Sequence, residues 1–296
     1  MPELPEVETI RRGLQPLVTG RRVVQVTVRD RRLRWPIAPK ALDRLRGARL
    51  TGVRRRSKYL LLDTDAGVTL LMHLGMSGRI WVSESARPAR PHEHVVFGLD
   101  DGRDIRFADP RRFGMVDLVP DERLEEHPRL RGLGPEPIDD DAVAGDPASG
   151  DAYARAAAAA TAAEALAERF WRVTRGRKKP VKNFLMDTRA VAGVGNIYAC
   201  ESLHRAAIRP SRAVQRLNRD DWSRLVKAVR VVLGEAIEAG GTTLRDFFNA
   251  EEEAGYFAVR LRVYDREGKA CPRCRAVVRR RVMAGRSTFY CPACQR

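Results

Sequence analysis

The chain is short of acid. It carries 38 Asp and Glu against 55 Lys and Arg, a formal charge of +17 over 296 residues. A field of that sign concentrates polyanions, so a phosphate-bearing partner is expected. Long apolar runs are missing as well: no stretch of about 18 residues could cross a bilayer as a helix. Nor does the start show the basic segment leading into an apolar one that marks an export signal. The expectation is a soluble, intracellular chain with no membrane partner. Cysteine is scarce, with five residues in all, too few to staple a chain of this size. Four of them form two Cys-x-x-Cys pairs near the C-terminus, a spacing that points to metal rather than disulfides. Cys200, the remaining one, sits in a helical pattern and reads as a small buried residue.

The chain is organised around its opening, Met1-Pro2-Glu3-Leu4-Pro5-Glu6-Val7-Glu8. Met1 precedes a small residue, and its removal would leave the secondary amine of Pro2 at the start. Such an amine has an ordinary pKa near ~8, against about 10.4 for lysine, so a usable fraction is unprotonated at neutral pH. Attack on an aldehyde-like carbon would give an iminium, and Glu3 could serve as general acid or base beside it. The same residues also read as a plain helix start, with Pro5 in the first turn and acids at the positive end of the dipole. Val7, Ile10, Leu14 and Leu17 recur at helical spacing while Glu8, Arg11 and Arg12 face elsewhere, which predicts an amphipathic helix over about 5–17.

Short β-branched or apolar runs follow: Val23 to Val28, Leu50 to Arg56, Tyr59 to Leu62, Thr69 to Leu74 and Arg79 to Val82. Asp-Ala-Gly at 65–67 and Asp-Asp-Gly at 100–102 look like hairpin turns, so the strands are antiparallel and a sandwich would bury them. Lys58 stands between a basic and an apolar run, where a strand-edge lysine is ordinarily solvated. His73-Leu74-Gly75-Met76-Ser77-Gly78 would present Met76 on a loop, and Asp109-Pro110-Arg111-Arg112-Phe113-Gly114 places guanidiniums and an aromatic beside a turn. Together they offer an apolar wedge and phosphate-seeking donors, the means by which proteins open a duplex.

A composition break comes after Gly134. Residues 135–151 hold six acids and no Lys or Arg, and read as a linker repelled by a polyanion. From Asp151 an alanine-rich helical pattern runs to Val173, closed by Arg175-Gly176-Arg177-Lys178-Lys179. One helix should end within 183–187 and another begin at Gly195-Asn196, whose free amides and Asn196 side chain suit phosphate. A third spans Trp222 to Ile237, stops at Gly240-Gly241, and is followed by a polar segment, 242–257, read as a mobile loop. The last 36 residues carry ten Lys or Arg against two acids. Sixteen residues separate the Cys271/Cys274 pair from the Cys291/Cys294 pair, a spacing suited to tetrahedral zinc between two knuckles. Four thiolates leave no open position, so one structural zinc is expected, steadying a hairpin tip near Gly285-Arg286-Ser287.

These stretches, with Gly240-Gly-Thr-Thr-Leu244, jointly resemble the bacterial formamidopyrimidine-DNA glycosylases over nearly the whole chain. The resemblance implies a two-domain α+β fold: an N-terminal antiparallel β-sandwich with an N-terminal helix (1–134), an acidic linker (135–150), a helix–two-turn–helix domain (151–260) and a β-hairpin zinc finger (261–296). It implies a monomeric, bifunctional glycosylase and abasic-site lyase that acts on damaged duplex DNA in the cytoplasm, at the nucleoid. Its targets would be 8-oxoguanine and formamidopyrimidines, flipped from the stack. By that likeness Pro2 attacks C1′, Glu3 assists ring opening and base departure, Lys58 donates a proton in β-elimination, and Arg286 grips phosphate and serves δ-elimination. Met76, Arg111 and Phe113 fill the vacated space, with Arg111 facing the orphaned cytosine, and His73, His92, Arg177 and Asn196 contact DNA. The acidic stretch and the run Ala156–Ala160 look longer than the family's, so Lys178 could fill the place of Arg177. The competing readings are an endonuclease VIII type for oxidised pyrimidines and a non-enzymatic zinc-dependent DNA-binding protein. Leu4, Arg111, Phe113 and the long 242–257 loop, which resembles the one that closes over the extruded base, favour the purine enzyme, and the second leaves Pro2, Glu3 and Lys58 without a reason.

Overall fold

Helix α1 (Leu4–Val18) buries Val7, Ile10 and Leu14 of the predicted stripe at 1 % exposure or less; Leu17 is only partly buried against the core, and Val18 beside it is fully buried. Its start is closed by Glu6, whose Oε2 accepts the Glu3 N–H at 2.8 Å. Glu8 and Arg11, which the pattern turns away from the core, are buried too. The reason is a charge network that periodicity does not encode. The Glu8 carboxylate accepts from Arg11 (Nη2 at 2.8 Å), from Arg12 (Nε at 3.1 Å) and from Arg55 (Nε at 3.1 Å).

The computed structural model describes residues 2–138, 152–241 and 261–296. It divides into two compact units, Met1–Gly132 with Ala239–Phe257 and Leu133–Glu238 with Ala258–Arg296. In the first, α1 is followed by β1 (Val23–Val28), a short α2 (Pro39–Leu42), β2 (Leu50–Arg56), β3 (Tyr59–Thr64), β4 (Val68–His73), β5 (Arg79–Glu84), β6 (Glu93–Leu99), β7 (Arg103–Ala108) and β8 (Met115–Pro120). They form two four-stranded antiparallel sheets, ordered β1-β6-β7-β5 and β2-β3-β4-β8. Both expected hairpins are present, joining β3 to β4 and β6 to β7. Val26, Phe97 and Phe107 of one sheet, Val53, Leu62 and Leu70 of the other, and Ile10 of α1 share a single core. Register places Tyr59 opposite His73, and His73 opposite Met115, in one row at the end of the second sheet. The Ser57-Lys58 turn opens onto that row.

The second unit contains α3 (Ala152–Val173), α4 (Val181–Leu185), α5 (Asn196–Arg205) and α6 (Arg219–Glu238), then a hairpin of β9 (Arg279–Met283) and β10 (Arg286–Tyr290). Phe170, Phe184 and Trp222 lock α3, α4 and α6 together, with ring centroids 5.3–5.5 Å apart. Residues 133–138 are docked within this unit: the Gly134 N–H donates to the Thr188 carbonyl at 2.8 Å in the loop after α4, the Pro137 carbonyl accepts from Arg230 of α6 at 2.9 Å, and Ile138 is buried. The remainder of the acidic linker, 139–151, and the 242–257 loop lie outside the described residues. Ala284 and Gly285 both take positive φ, +46° and +72°, the two-residue hairpin turn that matches strand twist. Among the described residues no helix is long and apolar enough to cross a membrane.

Candidate active site and metal centre

Pro2 and Glu3 are buried immediately ahead of α1. Lys58, expected in solvent, is only 7 % exposed. It occupies the second position of a tight turn whose first residue, Ser57, takes a left-handed φ of 57°. Arg55 braces that turn: while its Nε holds Glu8 of α1, its Nη1 donates to the Ser57 carbonyl at 3.2 Å. One buried guanidinium thus ties the helix that follows Pro2 and Glu3 to the turn that carries Lys58. His73 is half-buried against Tyr59, ring centroids 4.8 Å apart, and its Nδ1 accepts the Gly75 N–H at 3.0 Å. Burial, and then the charge of Lys58, push the His73 pKa down to about 4, so this ring is neutral at physiological pH.

Two loops meet beyond β4. A side chain on Gly75 would come within 2.5 Å of the Phe113 backbone, and the residue sits at φ +63°, so only glycine allows this approach. Asp109 organises both loops from complete burial. Its Oδ1 accepts from Ser77 Oγ at 2.6 Å and from the Arg111 N–H at 3.2 Å, while Oδ2 accepts the Gly114 N–H at 2.6 Å. The outcome is an exposed apolar side chain on each of the two joined loops, Met76 (40 %) and Phe113 (39 %), with the Arg111 guanidinium 5.1 Å from the Phe113 ring centroid. Exposed large apolar groups are costly unless something covers them. His92 is exposed at φ 66°, on the wall of a cavity of about 240 Å³ shared with Arg79, Trp81 and Arg90.

The remaining candidates belong to the other unit. Arg177, Lys178 and Lys179 are exposed after α3, and Lys179 is engaged with Asp187 at 2.6 Å. Asn196 opens α5 and donates from Nδ2 to the Ser287 carbonyl at 3.0 Å. Lys182, which sequence reading passed over, is fully buried and donates to Thr288 Oγ1 at 2.6 Å and to the same Ser287 carbonyl at 3.3 Å. Both grips fix β10 next to Arg286, which projects exposed beside the hairpin turn. No periodic or motif signal marks Lys182, because its partners lie more than 100 residues away.

The four sulfurs of Cys271, Cys274, Cys291 and Cys294 lie within 4.8 Å of one another. A tetrahedron of thiolates about 2.3 Å from zinc has sulfurs about 3.8 Å apart, and the Cys271–Cys294 and Cys274–Cys291 pairs stand at 3.9 and 3.4 Å. Burial and the neighbouring sulfurs push the Cys294 thiol upward, the crowding that a dication relieves. The donor set fits one structural zinc. From α5, the Glu201 carboxylate holds the approach to the first knuckle by accepting the N–H groups of Arg262, Val263 and Tyr264 at 2.8–3.0 Å.

Three family models match in order along the chain: the formamidopyrimidine-DNA glycosylase N-terminal domain at residues 1–116, the H2TH domain of the same enzymes at 157–248, and the zinc finger found in FPG and IleRS at 268–296. The chain belongs to the formamidopyrimidine-DNA glycosylase family. A family member from Cereibacter sphaeroides is 48 % identical over 307 residues, covering 100 % of both chains. Among solved structures, Lactococcus lactis Fpg bound to abasic-site DNA superposes with a TM-score of 0.82 at 26 % identity, covering all of both chains. The same L. lactis protein bound to Fapy-dG DNA gives 0.81 at 26 % identity, covering 99 % of this chain and 100 % of that one. The family assignment fits the sandwich, the helical unit and the four-cysteine hairpin alike.

Proposed function

We propose that the chain excises oxidised purines, 8-oxoguanine and formamidopyrimidines, from duplex DNA with the amine of Pro2 as nucleophile. Membership of the family makes it a base-excision repair enzyme, a DNA glycosylase that is also an abasic-site lyase. The observation that carries the residue-level reading is the buried Pro2-Glu3 pair at the capped start of α1, braced through Glu8 and Arg55 to the turn of a buried Lys58.

In this reading, removal of Met1 frees the Pro2 nitrogen, which attacks C1′ of the flipped nucleoside. Glu3 delivers a proton toward the sugar ring oxygen as the base departs, and ring opening leaves an iminium joined to Pro2. That cation acidifies C2′, so loss of a proton there expels the 3′ phosphate, and a second elimination expels the 5′ phosphate. Lys58 handles protons in the first elimination and Arg286 holds phosphate for the second. Met76 and Phe113 occupy the space left in the stack, and Arg111 faces the orphaned base. His73, His92, Asn196 and Arg177 or Lys178 contact the DNA strands. Zinc cross-links the two knuckles and takes no part in bond making. We place the enzyme in the cytoplasm at the nucleoid, acting as a monomer.

Borohydride trapping on an 8-oxoguanine duplex tests the reading. The native chain is expected to form a covalent adduct that Pro2→Gly abolishes while DNA binding persists. No adduct at saturating binding would reject the nucleophile, and faster trapping on a dihydrothymine duplex would favour a pyrimidine enzyme. Intact mass reports whether Met1 is removed, which the mechanism requires.

A further inference from the structure

The metal centre has a neighbour that four-cysteine spacing does not anticipate. His204, on the last turn of α5, is 1 % exposed, and its Nε2 lies 3.4 Å from Cys271 Sγ, across 67 positions of sequence. The other ring nitrogen, Nδ1, is also buried and has no hydrogen-bond partner among the described residues. A neutral imidazole has one proton to place. With a sulfur facing one nitrogen and nothing polar facing the other, that proton belongs on Nε2.

Four thiolates around one zinc leave a net charge of about −2, with the Cys271 and Cys291 sides of the centre buried. Cys271 is itself fully buried, so water cannot relieve the charge on its sulfur. A hydrogen bond to an ionised acceptor is the stronger kind, and donors outside the ligand set tune how tightly a metal is held. The same helix turn carries Glu201, three residues earlier, whose carboxylate clamps the backbone of 262–264. Val263, Val278, Phe289 and Cys200 wall off the sulfurs on this side. His204 thus sits on a rigid platform rather than a loop.

We propose that His204 donates its Nε2–H to the Cys271 thiolate, and that this bond makes His204 a positioning residue that strengthens zinc retention. It acts through Cys271 and not as a fifth ligand. The bond withdraws electron density from one sulfur of the centre and fixes that sulfur's direction. The proposal rests on zinc occupying the four cysteines, so one zinc per native chain by elemental analysis is the control that separates failure of the metal reading from failure of this one.

The test uses the full chain. With ¹¹³Cd in place of zinc, a proton–cadmium correlation is expected from the His204 Hε2 through the Cys271 sulfur, since the coupling passes across the hydrogen bond. Its absence, with the Cys271 β-proton couplings present, overturns the proposal without any variant. His204→Phe should then release zinc to a chromophoric chelator about 10-fold faster. Its cobalt-substituted form should show a thiolate-to-metal charge-transfer band moved to longer wavelength. His204→Gln, which can still donate, should recover part of both effects. A His204→Phe protein that matches the native cobalt spectrum and zinc release rate would refute the role. Equal defects in the Phe and Gln variants would assign the effect to packing and likewise refute it.

Discussion

His73 is the residue where burial decides chemistry. Its folded-state pKa of about 4 lies below the ordinary 6.5, so between those values an unfolded chain binds a proton that the folded chain refuses. The stability this group contributes is therefore full above about pH 6.5 and declines as pH falls toward 4. An NMR titration should show the His73 imidazole neutral at pH 6 with a midpoint near 4, and a midpoint at 6.5 would contradict its burial against Tyr59 within reach of the Lys58 charge. Gly75 is the residue where backbone geometry decides. With φ at +63° and the Phe113 carbonyl carbon 2.5 Å from where a Cβ would stand, Gly75→Ala must push the loops that carry Met76 and Phe113 apart. A loss of about 1–3 kcal/mol in urea unfolding is expected, with weaker binding to lesion DNA. Unchanged stability would mean that the loops do not touch there.

At the level of elements, α1 is joined to β2 by charge as well as by its apolar stripe. Burial opposes the ionised form of Glu8, but the hydrogen bonds and charges of Arg11, Arg55 and Arg12 outweigh it and hold its carboxyl below the usual range. The Glu8 and Arg55 side chains are each 1 % exposed, so neutralising Glu8 takes a buried anion away from the guanidiniums of Arg11, Arg12 and Arg55 at once. Glu8→Gln is expected to lower stability by about 3–5 kcal/mol, measured by urea unfolding. Arg12, whose side chain is 34 % exposed, should cost less than about 1 kcal/mol as Arg12→Ala. Equal small losses would show that the network is dispensable. The pH sign follows from the lowered pKa: the Glu8 contribution is present above 4.5 and is lost as pH falls through its folded-state value.

Over the whole molecule, a formal +17 makes DNA affinity a function of salt. Each phosphate neutralised contributes about −0.9 to the slope of log K against log salt. Arg286→Ala should weaken binding across sequences and reduce that slope by about 1, read from fluorescence anisotropy over a salt series. An unchanged slope would argue against a phosphate at the hairpin tip.

What the sequence determined by itself is what depends on near neighbours. The α1 stripe, the early strands with their Asp-Gly hairpins, the start of α5 at Asn196 and the zinc knuckles all follow from spacings of a few residues, because helix and strand periods and metal-ligand geometry act at that range. The family resemblance added candidate roles for Pro2, Glu3, Lys58 and Arg286. It could not say what surrounds them. Only the tertiary structure decided that Glu8, Arg11 and Arg55 are buried together, that Lys58 lies inside rather than in solvent, that Lys182 and Asn196 converge on Ser287, and that His204 faces Cys271. For Glu8 with Arg55, Lys182 with Thr288 and His204 with Cys271, burial becomes tolerable only when a partner dozens of residues away arrives in register, and no local pattern carries that information.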